Sequence, residues 1–409
     1  MADRSPISRW IFEEYRLGEN SLAMGRILLA TSLLAFEYPR YLWMAKFPES
    51  FYNPPLGLGI FFCQQPPGWV MWSFMAALTV MMLGLLVGWK TRVMAISLAL
   101  VTLVANSFDY SHGKITHDIL WIAALFFVAF SGSERRYSVD ALKRTFSGQV
   151  PGWPLAMLAM IVSLGMLSAA LPKIMSGWLA FDTQNVRGHV INNMFATGRL
   201  TWLGGLMLKY GSTVFWEFLD WSTIGIEVAF VLAMFSRKAF AVVCALAVAF
   251  HVGVHFSMDI FFLSNLIAYG MFVEWERGLT LGPIRRFMAW YDQQMKRVRG
   301  WMLPVSGLGL MLFYTTKGNP AAWLVSCFGD GERIRNSILA IAALVVAVTY
   351  LLHFSRQKQP AGQNAGIAAQ PRALVSSRPL VLIEKPSQCD RKNSCDPLAE
   401  TISKLSRGL

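Results

Sequence analysis

Charge is scarce in this chain. Asp, Glu, Lys and Arg supply 15% of its 409 residues, where soluble domains carry about a quarter. A shortage on that scale excludes an ordinary water-soluble domain. Acidic residues are the scarcer kind: 24 against 37 basic ones leave a net charge of +13. Such a surplus raises nucleic acid as a partner, but the Lys and Arg residues stand in short blocks between apolar runs rather than along one soluble face, an arrangement that a membrane explains better, so no nucleic acid is expected. Cysteine is short too. Five are too few for a disulfide framework or a zinc cluster. Cys389 and Cys395 have no partners at a metal-binding spacing, and nothing in the sequence pairs Cys63 with Cys327. No apolar core precedes Ser21, so no cleavable signal peptide is expected. Duplicate halves with broken helices are also missing, which argues against a transporter.

What the chain has instead is apolar length: 55% of it is hydrophobic and its mean hydropathy is +0.43. A run such as 69–88, WVMWSFMAALTVMMLGLLVG, reaches across about 30 Å of hydrocarbon at about 1.5 Å per residue. Ten helices are expected, over 21–35, 69–88, 93–107, 117–131, 154–171, 214–235, 239–254, 261–274, 302–315 and 337–354. The expected fold class is all-α, a polytopic transmembrane helical bundle of about eight to ten helices. Residues 1–20 form a cytoplasmic N-terminal segment, 21–275 a transmembrane domain, 276–301 a basic interfacial segment and 302–354 two further transmembrane helices. Residues 355–409, rich in Gln, Ala, Pro and Ser, are expected to be a disordered cytoplasmic tail.

Lys and Arg resist translocation, so their division between alternate loops predicts orientation. One set of loops carries Arg4, Arg9 and Arg16, then Lys90 and Arg92, the block 135–144, Arg237 and Lys238, and the stretch 277–299. The other set carries fewer, spread over longer loops: Arg40 and Lys46, Lys114, the stretch 173–209, and Lys317, Arg333 and Arg335. Both termini are therefore expected to be cytoplasmic, in a multi-pass protein of a bacterial inner membrane whose immediate partners are lipids. The segment GPIRRFMAWYDQQMKRVRG (282–300) mixes basic, aromatic and Met positions as an interfacial helix on anionic lipid does. A solvated connector is the competing reading.

Few residues in this chain have the means for chemistry. Lys173, in SAALPKIMSGWLAF (168–181), ends an apolar run on the outer side. It is either a snorkelling anchor or an amine kept partly neutral by desolvation, and hence a base. His117 opens the fourth helix on the same side, where it could relay a proton or hold an oxygen anion, and Asp118 beside it favours the helix dipole. His251 and His255, four apart, share one face of the seventh helix. That spacing suits two metal ligands, but no carboxylate ligand accompanies it, so no metal site is read there. Glu227 lies inside the sixth helix in FWEFLDWSTIGIEVAF and is a site candidate by its position, with Arg26 as an ion partner in a purely structural pair.

These residues resemble a family. Lys173 followed by Trp178 is similar to the apolar-Lys-apolar-x-x-Trp pattern of the HTTM domain family, which includes vitamin K-dependent gamma-carboxylase. The block 117–140, with a histidine opening a helix and YSVD after its end, resembles the same family without a gap. The likeness extends more faintly over about 20–275. It implies that Lys173 is the base toward a reduced quinone of the vitamin K hydroquinone kind and that His117 belongs to the active site. Trp178, His251, His255 and Glu227 would then be pocket walls for a lipid-soluble quinone or a small peptide substrate, with no metal. Thr116 replaces the family's asparagine, Pro172 replaces a lysine, and two apolar segments with a short tail stand where the carboxylases have a large extramembrane domain. The rival reading is a non-enzymatic membrane scaffold or partner in peptide export, toxin maturation or immunity.

Overall fold

The computed structural model describes residues 5–38, 41–55, 57–113, 118–326 and 329–357. His117, Cys327 and the tail containing Cys389 and Cys395 lie outside them. Among the described residues every regular element is a helix and there is no strand. After a short α1 (Pro6–Arg9) come α2 (Glu19–Ala35), α3 (Gly68–Val87), α4 (Thr91–Asp109), α5 (Ile119–Val128) and α6 (Trp153–Met175). Two outlying helices, α7 (Asn185–Thr197) and α8 (Trp202–Tyr210), lead to α9 (Thr213–Ala233), α10 (Arg237–Met258) and α11 (Leu263–Gly270). The chain then forms α12 (Gly282–Met295), α13 (Met302–Lys317), α14 (Pro320–Val325) and α15 (Gly331–Gln357). A helix at every apolar run is what hydrocarbon demands, since only intrahelical bonds satisfy the backbone there.

Each of the ten expected helices has a counterpart, but the lengths differ. Among the described residues five helices are long and apolar enough to cross a membrane: Gly68–Val87, Thr91–His112, Trp153–Met175, Arg237–Met258 and Gly331–His353. α9 has the length but contains Glu217, Asp220 and Glu227. The expected span 261–274 shortens to the eight residues of α11, about 12 Å of rise, so it crosses only part of a bilayer. α7, α8 and α14 were not foreseen, and 282–300 does contain a helix, α12.

Hydrogen bonds between elements sort the loops onto two ends of the bundle. At one end Trp10 Nε1 and Tyr15 Oη both donate to Met234 O at 2.7 Å, tying the N-terminal segment to the end of α9. The 133–140 loop lies at this same end, where the Asp140 carboxylate accepts from Lys90 N at 3.0 Å and Thr91 N at 2.8 Å and so caps α4. Tyr291 of α12 donates to Leu86 O at 2.6 Å beside it. At the other end of α4, Asn53 N donates to Ser111 O. α8 meets the end of α10 through Thr201 Oγ1 to Ser257 O at 2.7 Å, and Arg333 of α15 grips Asp259 at 2.6 Å. These two groups coincide with the two sets of loops that the alternation of Lys and Arg separates.

Arg26 corrects one expectation. It does not pair with Glu227. Fully buried, it donates to the carbonyls of Leu85 at 2.6 Å, Leu86 at 2.7 Å and Tyr137 at 2.6 Å. The guanidinium thereby takes up last-turn carbonyls of α3, where intrahelical donors run out, adding to the bond that Leu85 O accepts from Gly88 N at 3.2 Å, and fastens the 133–140 loop to them. Gly88 makes the approach possible. Its φ of 66° is left-handed, and a Cβ there would stand 2.3 Å from Ser138 Cβ and 2.9 Å from the Arg26 guanidinium.

Candidate functional site

The Lys173 to Trp178 spacing has a local cause. α6 ends at Met175, Ser176 follows, and Gly177 turns left-handed at φ 84°. Gly177 N donates to Ile174 O at 3.2 Å and Trp178 N to Lys173 O at 3.1 Å, the paired closing bonds of a glycine-terminated helix. That reversal brings the indole back over the lysine, with Nζ 5.6 Å from the ring centroid. Trp178 is buried, and the His189 ring of α7 lies 5.3 Å from it.

Lys173 does not snorkel outward. A helical side chain leans toward the N-terminus of its own helix, so a lysine in the last turn of α6 leans back into the bundle. α9 runs antiparallel to α6, with Ser163 Oγ donating to Phe230 O at 3.0 Å, and Glu227 leans the opposite way. The two meet: Lys173 Nζ is ion-paired and hydrogen-bonded to Glu227 Oε1. The lysine side chain is 24% exposed and the glutamate 7%. Glu227 Oε2 is buried with no hydrogen-bond partner among the described residues.

The other two acids of α9 have structural work. Asp220 accepts from Asn185 N and Val186 N, both at 2.7 Å, and Glu217 accepts from Gln184 N at 3.1 Å. Both carboxylates thus stand at the N-terminus of α7, where unpaired N–H groups and the helix dipole favour negative charge. This packs α7 onto α9 and places His189 beside Trp178.

His251 and His255 turn to different neighbours. The His251 Nε2 lies 3.3 Å from Tyr269 Oη and its ring 4.6 Å from that of Phe262. The His255 Nε2 lies 3.3 Å from Ser337 Oγ of α15. Sequence reasoning missed Tyr269, whose hydroxyl also takes a bond from Asn265 Nδ2 at 3.3 Å, whose ring stacks on Phe230 at 5.5 Å, and which lies within electrostatic reach of Glu227. Its signal was available: Asn265 and Tyr269 are polar positions four apart, on one face of a short apolar helix. Tyr269 also lines an apolar groove of about 340 Å³ together with Gly25, Cys244, Val346 and Tyr350.

The structure thus brings Lys173, Trp178 and Glu227 together, sets His251 in the adjoining layer through Tyr269, and directs His255 toward α15. Asp118, next to His117 in sequence, accepts from Trp121 Nε1 and Ser264 Oγ, both at 3.2 Å. The YSVD element is a structural knot, with Asp140 capping α4 and Ser138 Oγ accepting from Ala141 N at 2.9 Å. No family model matches the chain, and no curated protein or solved structure matches it.

Proposed function

We propose that this chain is an integral membrane protein of the HTTM kind that acts as a carboxylase-like or quinol-using enzyme, with Lys173 and Glu227 as its proton-transfer pair. One observation carries the reading: the Lys173 amine is turned inward onto a buried carboxyl whose second oxygen has no partner among the described residues. An anchor needs no buried acid, and an orphaned buried oxygen is costly. Glu227 stands where it can accept a proton from the Lys173 amine, so the pair is arranged for the exchange that a lysine base requires. Arginine could not take that role, because guanidinium stays charged.

The residues suit a reduced quinone. Lys173, Trp178 and Glu227 would hold its polar end, while the apolar groove beside Tyr269 suits a lipid tail, with His251 behind the Tyr269 hydroxyl. Such a quinol would supply an acidic hydroxyl. His117 is assigned its role by the family likeness alone. The setting is a bacterial inner membrane with both termini cytoplasmic.

A second reading, a non-enzymatic scaffold for peptide export, toxin maturation or immunity, is favoured by the helix-ending geometry around Lys173, which would also suit an interhelical clamp. The test is the quinone content of lipid extracts, measured by mass spectrometry from cells with and without the protein. Wild type should alter it, and Lys173→Arg and Glu227→Gln at matched membrane levels should not. A full effect from Lys173→Arg would leave the pair as a clamp.

A further inference from the structure

A cavity of about 310 Å³ opens where α4 stops and α5 and α15 begin. Among the described residues its wall carries four carboxyls, Glu37, Asp109, Asp118 and Glu332, against one guanidinium, Arg335. Several of the donors around it are already engaged. Trp121 donates to Asp118, Tyr41 Oη donates to Asn106 Oδ1 at 2.6 Å, and Arg335 donates to Asn336 Oδ1 at 2.8 and 3.0 Å. Acceptors are left over. The carboxyls of Glu37 and Asp109 have no hydrogen-bond or ion-pair partner among the described residues. Thr102 is 1% exposed, lines the cavity, and has an Oγ1 without a partner among them.

An occupant that satisfies this wall must be positive and rich in donors. The aromatic rings of Phe36 and Trp43 stand against the same space, and ring faces attract alkylammonium groups. A bare metal ion fits less well: among the described residues no group of three His, Cys, Asp or Glu is placed to hold one, and hard cations take six or more oxygen ligands. Carboxylates in turn form their strongest hydrogen bonds to charged N–H donors.

We infer that this cavity binds a small organic cation through its primary ammonium, with Asp109, Glu37 and Thr102 as acceptors and Phe36 and Trp43 against its carbon chain. Lys173 and Glu227 do not line it, so the inference is independent of the proton-transfer reading. The test is calorimetric titration of n-butylammonium into the full chain, reconstituted in phosphatidylcholine nanodiscs, with sodium and calcium as comparison ions. Saturable binding of the ammonium is expected, weakened about tenfold or more by Asp109→Asn, weakened several-fold by Thr102→Val, and unchanged in Lys173→Arg. Should Asp109→Asn not yield monodisperse protein, Glu37→Gln at the same wall takes its place with the same expected loss. Absence of saturable binding to wild type, displacement by calcium or sodium at equal concentration, or full affinity in these carboxamide variants would each overturn the inference.

Discussion

A single buried guanidinium holds one end of this bundle closed. Arg26 satisfies three carbonyls at short range, and its planar fork spans two elements at once, which a lysine ammonium cannot do. Arg26→Lys should therefore lower stability by about 3 kcal/mol, the scale of a broken buried charged network, read as a drop in the detergent-solubilised melting temperature. Glu37 makes a different prediction. Burial, and then the charge of Asp118, push its carboxyl up to about 7, with Arg335 pulling the other way. The folded state thus holds a proton that the unfolded chain releases near the ordinary carboxyl value of 4.5. Folding takes up a proton in between, so this group's stabilising contribution is greatest at the acid end and is lost as pH rises toward 7. The melting temperature of wild type minus that of Glu37→Gln should fall across this window. Ammonium binding at the wall of Glu37, Asp109, Asp118, Glu332 and Arg335 should strengthen over the same range. A difference that does not change with pH would show that Glu37 titrates as it does in water.

At the scale of elements, α12 separates two kinds of burial. Met288, Tyr291 and Met295 are buried, whereas Phe287 and Trp290 are each 54% exposed on a helix that also carries Arg285 and Arg286. One face is thus packed on the bundle, and aromatic and basic groups are left outward, the composition of a helix lying on anionic lipid. Replacing Arg285 and Arg286 by Glu should reduce the phosphatidylglycerol that copurifies with the protein, counted by native mass spectrometry. It should leave the melting temperature within about 0.5 kcal/mol of wild type in stability terms, because neither charge is in the packed face. Unchanged lipid retention would mark α12 as a solvated connector.

The whole molecule divides into two ends joined by the long apolar helices. Ser138 and Gln294 belong to the end built on Arg26, Asp140 and α12, while Asn53 and Asn192 belong to the end that holds the terminus of α4 and α7. A membrane-impermeant thiol reagent added outside intact cells should label engineered cysteines at Asn53 and Asn192 and spare those at Ser138 and Gln294. Labelling of Ser138 from outside would invert the orientation. Labelling of both pairs from one side would mean that the long helices do not cross.

The class of this protein was written in its composition: apolar runs with so little charge between them can only be stabilised as helices in lipid, and their positions followed from hydropathy alone. The helix ending that places Trp178 over Lys173 was not read from the sequence, which ends that helix at 171 rather than at Met175, although Gly177 favours the left-handed turn found there. What each ionisable group does was decided by tertiary structure. Glu217, Asp220 and Glu227 look alike along one helix, yet two of them cap α7 and the third meets Lys173, because α7 and α6 approach α9 at different heights. Arg26 and Glu227 each lie within an expected apolar helix and are opposite in charge, which made a pair plausible from sequence. Only the packing of α3 and the 133–140 loop around Arg26 shows that backbone carbonyls take its donors. The short reach of α11 and the acidic cavity beside α4 were likewise outside the sequence's power, since both depend on which helix ends converge, and hydropathy along one chain does not record the neighbours that a side chain will meet.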